Sequence, residues 1–229
     1  MLALLGGCLL GLTLGMRHAL EPDHLAAVST LTVEKARPFR ESLLLGAVWG
    51  VGHSLALLLV GGSLAVLRTE MPEQVASILE FAVAVMVVGL GTRALVQAVR
   101  EGTRGMATTH QHGSTRHTHA GHAEHIHVGR WALARRPLFV GLMHGLAGSG
   151  ALTALVLADL PTATARLLYI VAFGLGSVGG MAVLTGLAGL PLRRLVGQGS
   201  ARALVLGAAG ALSVCIGAWW GWEAASSWL

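Results

Sequence analysis

The chain has 229 residues, of which 54% are hydrophobic and only 12% are charged, with a formal net charge of +5. Soluble domains carry about 25% charged residues, so this composition excludes an ordinary soluble protein and predicts an integral membrane protein. The basic residues stand in short loops between apolar runs, a placement that sets membrane orientation and excludes a nucleic-acid-binding role.

The apolar sequence forms continuous runs of about twenty residues, the length that an α-helix needs to cross the hydrocarbon core of a bilayer. A transmembrane β-barrel would alternate apolar and polar residues instead. We therefore predict an all-α fold with six transmembrane helices at residues 2–30, 42–67, 76–99, 137–159, 166–190 and 202–222. Pro22 lies inside the first run, and because proline removes a backbone hydrogen bond, that helix is expected to be kinked or broken there.

Ionisable residues are concentrated in the first run, in the segment Arg17-His18-Ala-Leu-Glu21-Pro-Asp23-His24. Ionisable side chains are costly in lipid and are usually functional there. Imidazole and carboxylate together favour a divalent transition metal. On a straight helix His18 and His24 would point about 240° apart, but a break at Pro22 would let them converge. Asp23 is either a ligand or a group that orients a ligating imidazole, whereas Arg17 and Glu21 are expected to form a salt bridge.

Two further histidines stand in apolar runs and complete the predicted metal site. His53 lies in the second run and His144 in the fourth. The predicted site is therefore a nickel or cobalt site made of His18, Asp23 and His24 together with His53 or His144. No resident cofactor is expected beyond the transported ion.

The sequence contains an internal repeat. Residues 15–20, Gly-Met-Arg-His-Ala-Leu, align with residues 141–146, Gly-Leu-Met-His-Gly-Leu, and residues 49–53 align with residues 173–177. Each repeat would hold three helices, and an odd number of helices inverts the second copy in the membrane, as in many secondary transporters. The predicted units are therefore a first repeat at 1–100, a loop at 101–136 and a second repeat at 137–229.

The loop between the repeats is rich in histidine. Mixed with glycine, serine and threonine, it cannot bury a core and is predicted to be disordered, and histidine-rich tracts of this kind bind metals loosely. We interpret it as an accessory metal-capturing segment, with seven candidate histidines: His110, His112, His117, His119, His122, His125 and His127.

Positive charge predicts the orientation in the membrane. Thirteen lysine and arginine residues fall on the side that carries the histidine-rich loop, against two, Arg68 and Arg166, on the other side. Because cytoplasmic loops carry the excess of positive charge, the loop is expected to be cytoplasmic and both termini outside, in the inner (plasma) membrane of the cell.

The spacing His18-x4-Asp23-His24 resembles the signature of the nickel/cobalt transporter (NiCoT) family, and Gly52-His53-Ser54 resembles that family's second motif, with valine in place of leucine before it. The resemblance implies that His18, Asp23, His24 and His53 handle Ni²⁺ or Co²⁺. With room for six helices rather than eight, the chain is similar to the short, urease-accessory-type branch. The family's Asp-Thr-Ala-Thr-Glu segment has no counterpart, and residues 144–149 stand where a second-half motif is expected.

These observations predict a secondary permease for a divalent metal ion, with no enzymatic activity. Uptake is favoured over efflux, although the histidine-rich loop is similar to that of the nickel and cobalt efflux branch. A membrane metalloenzyme, a b-type haem carrier and a metal-binding membrane partner without transport are the alternatives. Expected partners are the metal ion and the lipid bilayer. A homo-oligomer and association with nickel-enzyme maturation proteins are compatible with the sequence.

Overall fold

A computed structural model gives the tertiary structure and describes residues 2–33, 38–103, 110–112, 115–117, 135–194 and 199–227. These residues form eight α-helices, one π-helical turn at Leu57–Gly61 and one short pair of strands. The helices are α1 (Leu2–His18), α2 (Pro22–Val33), α3 (Phe39–Ala56), α4 (Gly62–Leu67), α5 (Glu73–Thr103), α6 (Arg135–Asp159), α7 (Ala163–Arg194) and α8 (Gly199–Ser226).

The first predicted run is divided between two helices at the expected position. Helix α1 ends at His18 and α2 begins at Pro22. The backbone N–H groups of Leu20 and Glu21 donate to the carbonyls of Arg17 and His18 at 2.9 and 3.0 Å, which closes a turn between the helices. Proline suits the first position of a helix, where its missing N–H would have no partner. The break therefore has a local cause in the sequence.

Four helical segments are long and apolar enough to cross a membrane: Phe39–Leu67, Glu73–Gly102, Ala163–Leu190 and Ala201–Ser226. The first of these joins α3, the π-helical turn and α4 into one continuous span. They contain predicted runs two, three, five and six, and each extends a few residues beyond its run. The described residues are thus a helical assembly with several candidate membrane spans.

Helix α5 continues to Thr103, beyond the predicted end of the third run at residue 99. The extension is polar but internally paired. The Gln97 side-chain amide donates to the Glu101 carboxylate one turn later at 2.9 Å, and Arg202 on α8 lies 3.4 Å from the same carboxylate. Side-chain pairs at this spacing stabilise a helix that hydropathy alone would end earlier.

Helices α3 and α7 form the centre of the assembly. Helix α3 packs against α6 and α7, α7 also packs against α1, and α5 and α8 pair with one another beside α2 and α6. Two crossings match the repeat. A Cβ atom added at Gly15 would overlap the Phe173 carbonyl, and one added at Gly141 would overlap the Trp49 carbonyl. Glycine permits backbones to approach this closely.

The strands β1 (His110–His112) and β2 (Thr115–His117) pair antiparallel, with His110 opposite His117. They belong to the predicted histidine-rich loop. Its other candidate histidines, His119, His122, His125 and His127, lie outside the described residues, so the disorder and the metal capture expected of this segment stay predictions.

Candidate metal centre

Three histidines from three helices meet at the break between α1 and α2. His18 is the last residue of α1, His24 is the third residue of α2, and His53 lies near the end of α3. The rings of His18 and His24 are 4.6 Å apart between centroids, and His53 lies 5.0 and 5.3 Å from them. The break therefore brings together two histidines that a straight helix would separate.

The nitrogen atoms of these three residues are spaced as ligands of one ion would be. One nitrogen from each of His18, His24 and His53 lies within 4.8 Å of the other two. The Nε2 atoms of His18 and His53 are 3.2 Å apart. Two imidazoles bound to one transition metal at about 2.0–2.1 Å each have their nitrogens about 3 Å apart. We call His18, His24 and His53 the histidine cluster.

The cluster is shielded from solvent. His24 is 1% exposed and His53 is fully buried. Trp49 on α3 is also fully buried, and its ring stacks on His24 with centroids 5.4 Å apart. The dielectric constant of a buried site is lower than that of water, so a dication interacts with its ligands more strongly there.

Two carboxylates hold the cluster rings in position. Asp23 Oδ1 accepts a hydrogen bond from His24 Nδ1 at 2.6 Å and another from the His24 backbone N–H at 2.7 Å. Glu21 Oε1 accepts from His18 Nδ1 at 2.8 Å. A carboxylate can only accept, so each Nδ1 carries the hydrogen and each Nε2 keeps its lone pair for a ligand. Asp23 therefore occupies the orienting position that the sequence left as an alternative.

Glu21 does not form the salt bridge expected from the sequence. Its carboxylate pairs with His18, and the described residues contain no ion pair between Arg17 and Glu21. Glu21 and Arg17 are both exposed. The reason is the turn between α1 and α2, which directs Glu21 back toward the end of α1.

His144 lies beside the cluster rather than within it. Its ring is 5.0 Å from that of His24, and its Nε2 is 3.8 Å from Asp23 Oδ2. Its Nδ1 donates to the Val140 carbonyl at 2.9 Å, which again leaves the Nε2 lone pair free. Helix α6 thus adds a fourth imidazole at one edge of the site.

Several buried nitrogens at this site have no hydrogen-bond partner. They are His24 Nε2, His53 Nδ1, His144 Nε2 and Trp49 Nε1. Buried polar atoms are normally paired, and each exception calls for an explanation. The unpaired Nε2 atoms of the neighbouring His24 and His144 fit a site that receives a metal ion as substrate.

The sequence did not identify Trp49 and Phe173 as parts of the site. Trp49 also meets His144 edge-on, with centroids 5.9 Å apart, and Phe173 packs against His18 at 5.2 Å. The available signal was the repeat, because both aromatic residues open its second matched segment. Aromatic residues in apolar helices are common, so composition alone could not have marked them.

Comparison with known proteins gives consistent results. The sequence model of the NicO family, described as high-affinity nickel-transport protein, matches residues 4–190. Urease accessory protein UreH of Bacillus sp. (strain TB-90) is 36% identical over 183 residues, which are 80% of this chain and 75% of that protein. A high-affinity nickel transport protein of Cupriavidus necator is 37% identical over 71 residues, 31% of this chain and 20% of that protein. No solved structure matches the chain significantly.

Proposed function

This chain belongs to the NicO family of high-affinity nickel-transport proteins, and we propose that it carries Ni²⁺ across the membrane through the histidine cluster. Membership of a transporter family agrees with the predicted transport role and disfavours the metalloenzyme alternative. The observation that carries the proposal is the convergence of one nitrogen from each of His18, His24 and His53 within 4.8 Å.

The ligand set suits a dication of borderline softness. Imidazole nitrogen is a good ligand for nickel, and the carboxylates behind His18 and His24 offset part of the ion's charge while fixing the rings. We propose that Ni²⁺ enters partly dehydrated, binds the cluster and passes on beside Asp23 and His144, which lie next to His24. Co²⁺ has the same charge and accepts the same ligands, so it is expected to compete.

We propose six membrane crossings arranged as two inverted repeats. Two pairs of equivalent contacts support this arrangement. Gly15 lies against the Phe173 carbonyl as Gly141 lies against the Trp49 carbonyl, and Gly52 lies against the Leu138 carbonyl as Gly176 lies against the Leu12 carbonyl. Six of these residues are in the matched segments, and Leu12 and Leu138 lie three residues before them in the same register. Alternating access would then arise from movement of one repeat against the other.

Orientation follows from charge. The excess of positive residues on the side of the histidine-rich loop supports a cytoplasmic loop and outside termini in the plasma membrane. Reporter fusions at residue 229 and within the loop would test this. A reporter active only outside the cell should work at residue 229 and fail in the loop, and the reverse pattern would overturn the orientation.

The direction proposed is uptake. The relative that covers most of the chain is named a urease accessory protein, and by analogy imported Ni²⁺ would be supplied to proteins that mature a nickel enzyme. Efflux is the competing direction. It predicts that cells lacking the protein accumulate more nickel, whereas uptake predicts that they accumulate less.

The function is tested by ⁶³Ni²⁺ flux in proteoliposomes. Wild type is compared with His18→Ala and with a deletion of residues 110–127, which removes the seven loop histidines. We expect flux to be lost in His18→Ala and kept in the deletion variant. Equal flux in all three would reject the histidine cluster as the transport site, and no flux in wild type would reject transport by this chain alone.

A further inference from the structure

Two aromatic rings border the histidine cluster from different sides. The indole of Trp49 on α3 stacks on His24 and meets His144 edge-on, at 5.4 and 5.9 Å between centroids. The phenyl ring of Phe173 on α7 packs against His18 at 5.2 Å. Trp49 is fully buried and Phe173 is 8% exposed. The indole therefore contacts the cluster at His24 and the phenyl ring contacts it at His18.

Trp49 and Phe173 are equivalent residues of the two repeats. Each is the first residue of the second matched segment, and each presents its main-chain carbonyl to a glycine of another helix, Gly141 for Trp49 and Gly15 for Phe173. No side chain fits at either glycine, so the backbone at each aromatic residue is tightly held. A change of side-chain rotamer, from one staggered position to another, would move either ring and leave this backbone in place.

The indole of Trp49 also carries an unmet hydrogen-bonding group. Its Nε1–H is buried and has no acceptor. An unpaired buried donor destabilises the arrangement that contains it. A rotation of the ring that lets water reach the cluster would give this N–H an acceptor. The new hydrogen bond would offset part of the free energy that the rotation costs.

We propose that Trp49 and Phe173 are the two gates of the transport path, each closing the histidine cluster toward one face of the membrane. The proposal rests on the inverted repeats of the proposed function, because inversion places equivalent residues toward opposite faces. Ni²⁺ leaves the cluster when one ring turns away while the other stays in place. Removal of either ring opens the cluster permanently toward a single face, and the two variants open it toward different faces.

The test measures access to the cluster from each face without using a metal. A cysteine is placed in the histidine cluster by His53→Cys, in a chain that also carries Cys8→Ser and Cys215→Ser at the two native cysteines. A charged, membrane-impermeant methanethiosulfonate is applied to right-side-out and to inside-out vesicles. Labelling rates are compared with and without Trp49→Ala or Phe173→Ala.

We expect Trp49→Ala to raise the labelling rate several-fold from one face only, and Phe173→Ala from the other face only. The matched controls Trp220→Ala and Phe81→Ala lie on α8 and α5, and both should leave the rates unchanged. Acceleration from the same face by both gate variants, no acceleration by either, or equal acceleration by the controls would overturn the proposal.

Folding is monitored by monodisperse elution in detergent. If either alanine variant fails this criterion, Trp49→Leu and Phe173→Leu keep apolar volume and still remove the ring. Because labelling needs no nickel, its outcome is independent of transport. If the two variants are labelled from opposite faces but the protein shows no ⁶³Ni²⁺ flux, the gate proposal stands and nickel transport is rejected. If the protein shows flux without that labelling pattern, nickel transport stands and the gate proposal is rejected.

Discussion

The Nε2 atoms of His18 at the end of α1 and His53 on α3 face one another at 3.2 Å, although 35 residues separate these histidines in the chain. Without an ion, one nitrogen of the pair must donate to the other. With an ion between them, both Nε2 lone pairs bind it, the hydrogen of His53 moves to its Nδ1, and His18 Nδ1 still donates its own hydrogen to the Glu21 carboxylate. The fold therefore holds these two nitrogens close together before any ion binds, and the proposed binding of nickel at this point would need little reorganisation.

Replacing a cluster histidine should remove most of the affinity for nickel. His53→Ala deletes a buried imidazole of the cluster itself, whereas His144 lies at its edge, so we expect a loss larger than the roughly 10- to 100-fold that follows loss of an orienting partner. Ni²⁺ binding is measured by titration calorimetry on protein lacking residues 110–127. His144→Ala, beside the cluster, should cost less. Equal losses in the two variants would contradict the cluster as described.

The role of Asp23 can be separated from that of a direct ligand. Asp23→Asn keeps an oxygen that accepts from His24 Nδ1 but removes the charge, so Ni²⁺ affinity should fall by about 10- to 100-fold. Glu41→Gln alters an exposed carboxylate in the first turn of α3 and should change nothing. A loss from Asp23→Asn as large as that from His24→Ala would instead make Asp23 a ligand.

The close approach of α6 to α3 predicts a sharp difference between two glycines. Gly141→Ala places a methyl group on the Trp49 carbonyl, and overpacking of this kind costs about 1–3 kcal/mol. Gly89→Ala on α5 meets nothing within 4 Å and should be neutral or stabilising by up to about 1 kcal/mol. Thermal unfolding in detergent measures both changes. A Gly141→Ala protein as stable as wild type would show that this crossing is looser than described.

Arg166 predicts a stability effect away from the metal centre. Its buried guanidinium donates to the Leu160 carbonyl at 2.7 Å and to the Ala65 carbonyl at 3.1 Å, which ties the start of α7 to the end of α4. Arg166→Ala leaves two carbonyls without this partner, and the unfolding free energy should fall by about 1–3 kcal/mol. Arg40→Ala, at an exposed arginine of α3, should change it by less than about 0.5 kcal/mol. Similar melting temperatures for the two variants would contradict the bridging role.

Hydropathy and helix-breaking chemistry predicted much of the fold. The described helices lie along the six apolar runs, mostly extending two to four residues past the predicted bounds, and Pro22 marked the division of the first run between α1 and α2. Four of the six runs are found as candidate membrane spans in the part of the chain that the structure describes. The end of α5 was missed because Gln97 and Glu101 support the helix through a side-chain pair that hydropathy does not measure. The repeat was visible in the sequence as two short matches. Two of the matched glycines, Gly15 and Gly141, lie where helices approach each other closely.

By itself, the sequence determined that the chain is helical and apolar, that the first run breaks at Pro22, and that histidine and carboxylate are concentrated beside that break, because these properties depend on local composition and backbone chemistry. Tertiary structure alone decided which histidines meet. His53 faces His18 while His144 stays outside the cluster, Asp23 and Glu21 orient rings, and Trp49 and Phe173 enclose them. Such distances depend on how α1, α3, α6 and α7 pack. The glycines at the close contacts allow this packing, but the sequence does not show which helix each glycine contacts.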